Sequence, residues 1–175
     1  DSLYIYSEGS QVPKAITFIG IDCADSGNCV AFGNFNWDQP INRITNDGGK
    51  TWTTTLFDSS YTIKDSVGNV LEKYTPTKVQ EVVYPSKNFC MAICDSGYYW
   101  ISRDACSTWE KNKFKTPDNF LFYLNFINEN IGLIANVNRL FLTKDSGYNW
   151  LVKDIQYANH HLNWTILSAN LIDEN

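Results

Sequence analysis

The sequence predicts an all-β chain in which one four-stranded antiparallel unit is used three times. Three observations carry that prediction. The pattern Ser/Thr-x-Asp-x-Gly-x-x-Trp occurs as Thr45-Asn46-Asp47-Gly48-Gly49-Lys50-Thr51-Trp52 and as Thr143-Lys144-Asp145-Ser146-Gly147-Tyr148-Asn149-Trp150. A third copy, Ser102-Arg103-Asp104-Ala105-Cys106-Ser107-Thr108-Trp109, has Cys106 in place of the glycine. The aspartates are spaced by 57 and then 41 residues, a period that marks a repeat architecture. Between the motifs run short apolar or alternating segments broken by turn residues, and no stretch of helical length keeps a 3.6-residue period.

The strands follow in chain order. Residues 16–22 and 29–33 flank the turn Asp25-Ser26-Gly27-Asn28, residues 41–45 lead into the first motif, and residues 51–57 leave it. The second copy reads as strands at 79–84, 89–94, 99–102 and 108–113, and the third at 120–126, 131–136, 140–143 and 149–155. Gly-, Asp- and Asn-rich turns between them suit hairpins. Four antiparallel strands repeated radially make a β-propeller blade. A leucine-rich or ankyrin repeat would be shorter and contain a helix. A β-sandwich also uses many short strands but leaves the recurring turn motif without a reason.

The expected layout is one domain, residues 1–175, with blades at about 14–57, 78–114 and 119–156. Residues 2–7 read as a lone outer strand, and residues 163–172 as the inner strand of a further blade. That makes about three full blades plus two unmatched terminal strands, where closed propellers use roughly four to eight blades. The expectation is either a piece of a longer propeller or a chain completed by its neighbours, since open edges invite pairing and non-closing contacts build filaments. An insertion at 58–78 lengthens the first spacing. Its segments 61–64 and 70–74 flank Val67-Gly68-Asn69 and predict an extra hairpin.

Composition narrows the function. The chain has 175 residues, 43% hydrophobic and 15% aromatic, which is enough for a packed core. A net charge of −5 with only three arginines argues against nucleic acid as a partner. No apolar run approaches the roughly 20 residues of a membrane span. No secretory leader is recognisable, which leaves a processed form open.

The motif has a physical account. Its aspartate can accept backbone N–H bonds across its own turn, and the hydroxyl two residues earlier can do the same. Glycine tolerates a positive φ, and the tryptophan can fold its ring back over the blade edge. The expected structural residues are therefore Thr45, Asp47, Gly49 and Trp52; Ser102, Asp104 and Trp109; and Thr143, Asp145, Gly147 and Trp150. The three aspartates lie on separate blades and cannot share an ion.

Five cysteines need a role. No CxxC occurs, and His160 and His161 are adjacent and far from any cysteine, so no zinc site is expected. Cys23 and Cys29 flank the first hairpin turn, where a cross-strand bridge is geometrically easy. In a blade, the turn between the first two strands and the turn between the last two share a rim. Cys90 and Cys106 then predict a second bridge, with Cys94 unpaired. Disulfides imply an extracellular, periplasmic or luminal location. Asn163-Trp164-Thr165 is a glycosylation sequon.

The motif resembles the Asp-box, or BNR repeat, and the chain is similar over residues 14–155 to Asp-box β-propellers. The stretches from Ile19-Gly20-Ile21-Asp22-Cys23 to Ala31-Phe32-Gly33, and from Asn125-Phe126-Ile127-Asn128 to Leu133-Ile134-Ala135, look like the first hairpins of sortilin and photosystem II assembly-factor propellers. The resemblance implies a propeller. It does not choose a function, because Asp-boxes occur in sialidases, polysaccharide-cleaving enzymes, receptors and assembly factors alike. Sialidases carry an arginine triad, an early Arg-Ile-Pro and a Tyr–Glu pair. Here Arg43, Arg103 and Arg139 all lie in or just before the motifs, and no Arg-Ile-Pro occurs.

On the face opposite the motifs, the residues expected to meet a ligand are Asn34, Asn36, Trp37, Asp38, Tyr61, Tyr98 and Tyr99. Trp37 and the tyrosines would offer stacking platforms to a glycan. Asp38 and Asp65 are the one carboxylate pair on that face at which glycoside hydrolysis could be sought. The resulting expectation is a non-catalytic extracellular or luminal propeller scaffold, with no cofactor or metal, that binds protein or glycan. The alternatives are a self-assembling surface or filament protein and a fragment of a glycoside hydrolase.

Overall fold

A computed structural model describes residues 16–35, 39–56, 61–64, 67–68, 70–74, 78–114 and 121–155. Among these residues there is no helix. The strands form three four-stranded antiparallel sheets, each running from an inner to an outer strand in sequence order. Blade one is β1 (Ile16–Cys23), β2 (Cys29–Phe35), β3 (Gln39–Thr45) and β4 (Thr53–Leu56). A separate hairpin follows, β5 (Tyr61–Lys64) paired with β6 (Val70–Tyr74), at the two segments of the insertion. Blade two is β7 (Val79–Ser86), β8 (Phe89–Cys94), β9 (Tyr98–Ser102) and β10 (Glu110–Lys113). Blade three is β11 (Tyr123–Phe126), β12 (Gly132–Ala135), β13 (Arg139–Thr143) and β14 (Leu151–Asp154). The inner strands β1, β7 and β11 pack in succession, and the three sheets are blades of a partial β-propeller.

The sequence places the outer strands slightly too early. They begin at Thr53, Glu110 and Leu151 because the residues just before them are consumed by the motif turn. Thr51, Thr108 and Asn149 each give their backbone N–H to the motif aspartate instead of to a ladder.

The core lies between blades and divides at β8, whose six residues are all buried. Cys90, Ala92 and Cys94 face blade one and join Val30, Phe32, Ile44, Val82, Tyr84 and Trp100. Phe89, Met91 and Ile93 face blade three and join Ile101, Phe114, Leu124, Ile134 and Phe141. This is the period-2 alternation of a central strand covered on both faces. The outer strand β14 is exposed along its whole length.

Residues 2–7, Asn36, Trp37, Asp38, Asp65, His160, His161, the Asn163 sequon and the strand expected at 163–172 lie outside the described residues. Tyr61 is described only as backbone in β5.

Candidate functional site

The three motif turns share one hydrogen-bond scheme. In the first, the Thr45 hydroxyl donates to Asp47 Oδ1 at 2.8 Å and accepts the Gly49 N–H at 2.8 Å. Asp47 accepts the Thr51 N–H at 2.9 Å and the Thr51 hydroxyl at 2.6 Å. Trp52 closes the turn by donating its indole N–H to the Gly49 carbonyl at 3.1 Å. In the second, Ser102 donates to Asp104, which accepts the N–H and hydroxyl of Thr108. In the third, Thr143 donates to Asp145, which accepts the N–H and side-chain amide of Asn149.

These bonds favour the charged carboxylate. The Asp47 carboxyl is held down to about 2, first by the Thr51 hydroxyl and then by the Thr51 N–H. Asp104 and Asp145 are lowered by the corresponding Thr108 and Asn149 donors. All these bonds close within single turns. The two residues after each aspartate have positive φ: Gly48 and Gly49, Ala105 and Cys106, Ser146 and Gly147.

The first and third motif turns also meet the first hairpin turn of their own blades. The Gly48 N–H donates to the Gly27 carbonyl at 3.0 Å, and the Ser146 N–H to the Asn130 carbonyl at 3.0 Å. Asp25 tightens the first of these hairpin turns by accepting the N–H groups of Gly27 and Asn28. Arg103 ties this rim across blades. Its Nη2 donates to the Ser146 carbonyl at 2.9 Å, and its guanidinium lies 4.0 Å from the centroid of the Tyr148 ring.

The cysteines follow the sequence expectation in one pair and depart from it in the other. Cys23 and Cys29 are disulfide-bonded across the first hairpin, where they are direct register partners. The expected Cys90–Cys106 bridge is corrected: Cys90, Cys94 and Cys106 are buried thiols. Cys106 contacts Cys90 through a hydrogen bond between the side chains, while burial foremost pushes the Cys90 thiol up. The two fill space in the core between blades one and two instead of crosslinking it.

The expected ligand face is also redistributed. Tyr99 is not an open platform but is 8% exposed, with its ring 4.6 Å from that of Phe114. Alternation along β9 turns it inward, because its neighbour Tyr98 takes the other face and lies beneath the Lys111 and Lys113 ammonium groups. Asn34 is buried and bonds to the next blade, its Oδ1 accepting the Val79 N–H at 3.2 Å and its Nδ2 donating to the Val79 carbonyl at 3.4 Å.

The open concavity lies along the inner strands. A groove of about 390 Å³ is lined by Ile19 and Ile21 from β1, Gln80 and Glu81 from β7, and Phe122 and Tyr123 from the start of blade three. Ile19 and Gln80 also line a cleft of about 250 Å³ that continues the concavity toward Asn34 and Lys78, on the rim opposite the motif turns. Ile19, Ile21 and Phe122 are 50%, 61% and 44% exposed. Polar atoms make up the larger share of the groove's lining, with these three apolar side chains set among them. Among the described residues, no group of three or more His, Cys, Asp or Glu is placed to hold a metal ion. Among them no helix is long and apolar enough to cross a membrane.

No family model and no curated protein matches the chain. Solved structures do. One is YCF48 bound to D1 peptide, at 17% identity and a TM-score of 0.59, covering 82% of this chain and 42% of that one. Another is YCF48 from Cyanidioschyzon merolae, at 14% identity and a TM-score of 0.57, covering 81% of this chain and 38% of that one. The fold is that of a β-propeller. The chain spans less than half the length of either similar structure.

Two acids that join the inner strands, Glu81 in the groove lining and Asp22 outside it, escaped the sequence reading. Asp22 accepts the Tyr84 N–H at 2.6 Å, and Glu81 accepts the Leu124 N–H at 2.7 Å, so each inner strand holds the next through one carboxylate. A signal was present: Glu81 is the one charge in the strand segment Val79-Gln80-Glu81-Val82-Val83-Tyr84, an expensive place for a charge without a task. Thr51, Thr108 and Asn149 were also missed, although each copy places a hydrogen-bonding side chain just before its tryptophan.

Proposed function

We propose that this chain is a non-catalytic propeller scaffold that binds an extended segment of a partner protein in the groove along its inner strands. The carrying observation is the row of exposed apolar side chains, Ile19, Ile21 and Phe122, contributed by different blades to one concavity. Such a row costs free energy while open to water and returns it when covered. The similar YCF48 structure with a bound D1 peptide supports a peptide ligand for this fold. We read the three motif turns as Asp-boxes whose work is structural, because their carboxylates are occupied within their own turns. The Cys23–Cys29 bridge supports an extracellular, periplasmic or luminal setting.

The test is binding of fluorescently labelled extended peptides of about ten residues, followed by anisotropy. Ile21→Asp should weaken the complex of any segment without a cationic residue by about tenfold, since it places an unpaired charge on the groove wall. Its melting temperature should stay near that of the parent, because Ile21 is exposed. Binding that ignores Ile21→Asp would place the ligand elsewhere and overturn the groove assignment.

A further inference from the structure

We propose that the groove selects a cationic residue: a lysine or arginine carried by an otherwise apolar extended segment, with its charge set against Glu81. This rests on the groove being the binding site and names the ligand chemistry that site would take. Glu81 lines the groove from β7, half-buried, with one carboxylate oxygen turned to the Leu124 N–H. Asp22 on β1 lies close enough to repel it, and the Asp22 oxygens are occupied by the N–H groups of Tyr84 and Cys23. Among the described residues neither carboxylate has a basic side-chain partner. Lys78 lines the adjoining cleft rather than this groove.

Two like charges near each other, one of them half-buried, create a negative potential that water only partly relieves. Burial, foremost, and Asp22 raise the Glu81 carboxyl above its usual range, although the Leu124 N–H opposes this. A ligand ammonium or guanidinium would relieve the repulsion. Its aliphatic stem would lie along Ile19, Ile21 and Phe122, in the way long cationic side chains cover apolar surface. An acidic ligand at the same place would meet the Glu81 carboxylate, with Asp22 near it, and be rejected. The chain's net charge of −5 steers in the same direction.

The experiment uses a set of extended apolar peptides, each made in three versions with Lys, Gln or Glu at the central position. Affinities are measured by anisotropy for the full chain and for Glu81→Gln. The glutamine keeps an amide oxygen for the Leu124 N–H, so the fold is retained while the charge is lost. For the parent chain, Lys should exceed Gln by about tenfold and Glu should bind weakest; in Glu81→Gln, the Lys preference should shrink to about twofold, with the Gln versions unchanged. Equal binding of all three versions, or a Lys preference that survives Glu81→Gln, would overturn the cation assignment and leave the groove reading standing. If no version binds the parent chain, the groove reading fails and the inference fails with it.

Discussion

The two faces of β8 hold neighbouring blades by different means. Toward blade one the strand presents Cys90, Ala92 and Cys94, small groups packed against Val30, Phe32 and Trp100. Toward blade three it presents Phe89, Met91 and Ile93, large groups set among aromatic rings. There Phe114 lies 4.2 Å from Phe141 and 5.4 Å from Trp150, centroid to centroid, and Tyr99 lies 4.6 Å from Phe114. The first junction adds the Asn34 and Asp22 bonds to backbone, whereas the second adds Glu81, Arg103 and the Ser86–Glu129 hydrogen bond. One repeat pattern thus carries two kinds of interface. The first rests on close approach of small groups, the second on ring burial, and polar bonds cross both.

The sharpest way to break that comparison is to delete bulk on each side of β8. Phe141 is fully buried, so Phe141→Ala should destabilise by about 3–5 kcal/mol, through lost burial plus the cavity left behind. Cys94→Ala, equally buried on the other face, should cost about 1 kcal/mol, the size of a one-atom core deletion. Urea unfolding of both variants measures the difference. Equal losses would mean that ring burial is not what distinguishes the junctions.

How far the sequence reveals this fold depends on which signal each part uses. Strands β7 and β8 were readable because apolar runs between turn residues have one good reading. The blade count came from the motif, whose period survives the substitution of Cys106. The cysteine pairing did not come through, because a shared rim places two residues near each other without saying whether they crosslink or only pack. Tyr99 was misjudged because its strand was assigned but its face was not, and a shift of one residue along a strand reverses the side chain's direction. The groove was invisible for a further reason. Its lining combines Ile21, Glu81 and Phe122 from different blades, and nothing local in any one of them marks the others as neighbours.

The polar clamps offer a smaller contrast. Leu124 is buried, so Glu81→Ala, which removes the acceptor of its N–H, should cost about 1–3 kcal/mol, while Glu81→Gln should cost far less. Their pH signatures run in opposite directions. Glu81 has a raised carboxyl in the folded chain, so the native state holds its proton more tightly. Its ionisation therefore subtracts stability as pH rises from the unfolded value of about 4.3 through the folded one. Asp47 is held down to about 2, so its contribution is present above the unfolded value of about 3.9 and is lost as pH falls toward the folded one. Melting temperature against pH should flatten on the acid side in Asp47→Asn and on the upper side in Glu81→Gln. Matching profiles for the two variants would contradict the assignment of these groups to opposite kinds of environment.

The smallest effect probes the turn that feeds the first junction. The second motif turn alone has no glycine at its two positive-φ positions, with Ala105 at 57° and Cys106 at 62°. Cys106 cannot be replaced there without also removing a buried side chain from the core between blades one and two. Ala105 can, because it lies at the position of Gly48 in the first turn, where φ is 70°. A left-handed conformation costs a non-glycine residue about 1–2 kcal/mol, and the extra freedom of an unfolded glycine takes back about 0.4–1 kcal/mol. Ala105→Gly should therefore stabilise by roughly 0.5 kcal/mol. In the third turn, Ser146→Gly would relieve the same backbone cost but also lose the Ser146 Oγ bond to Asn130, so its gain should be smaller. Denaturation midpoints of the two variants, with unchanged slopes, measure this directly. A larger gain at Ser146 than at Ala105 would show that backbone strain is not what separates the turns.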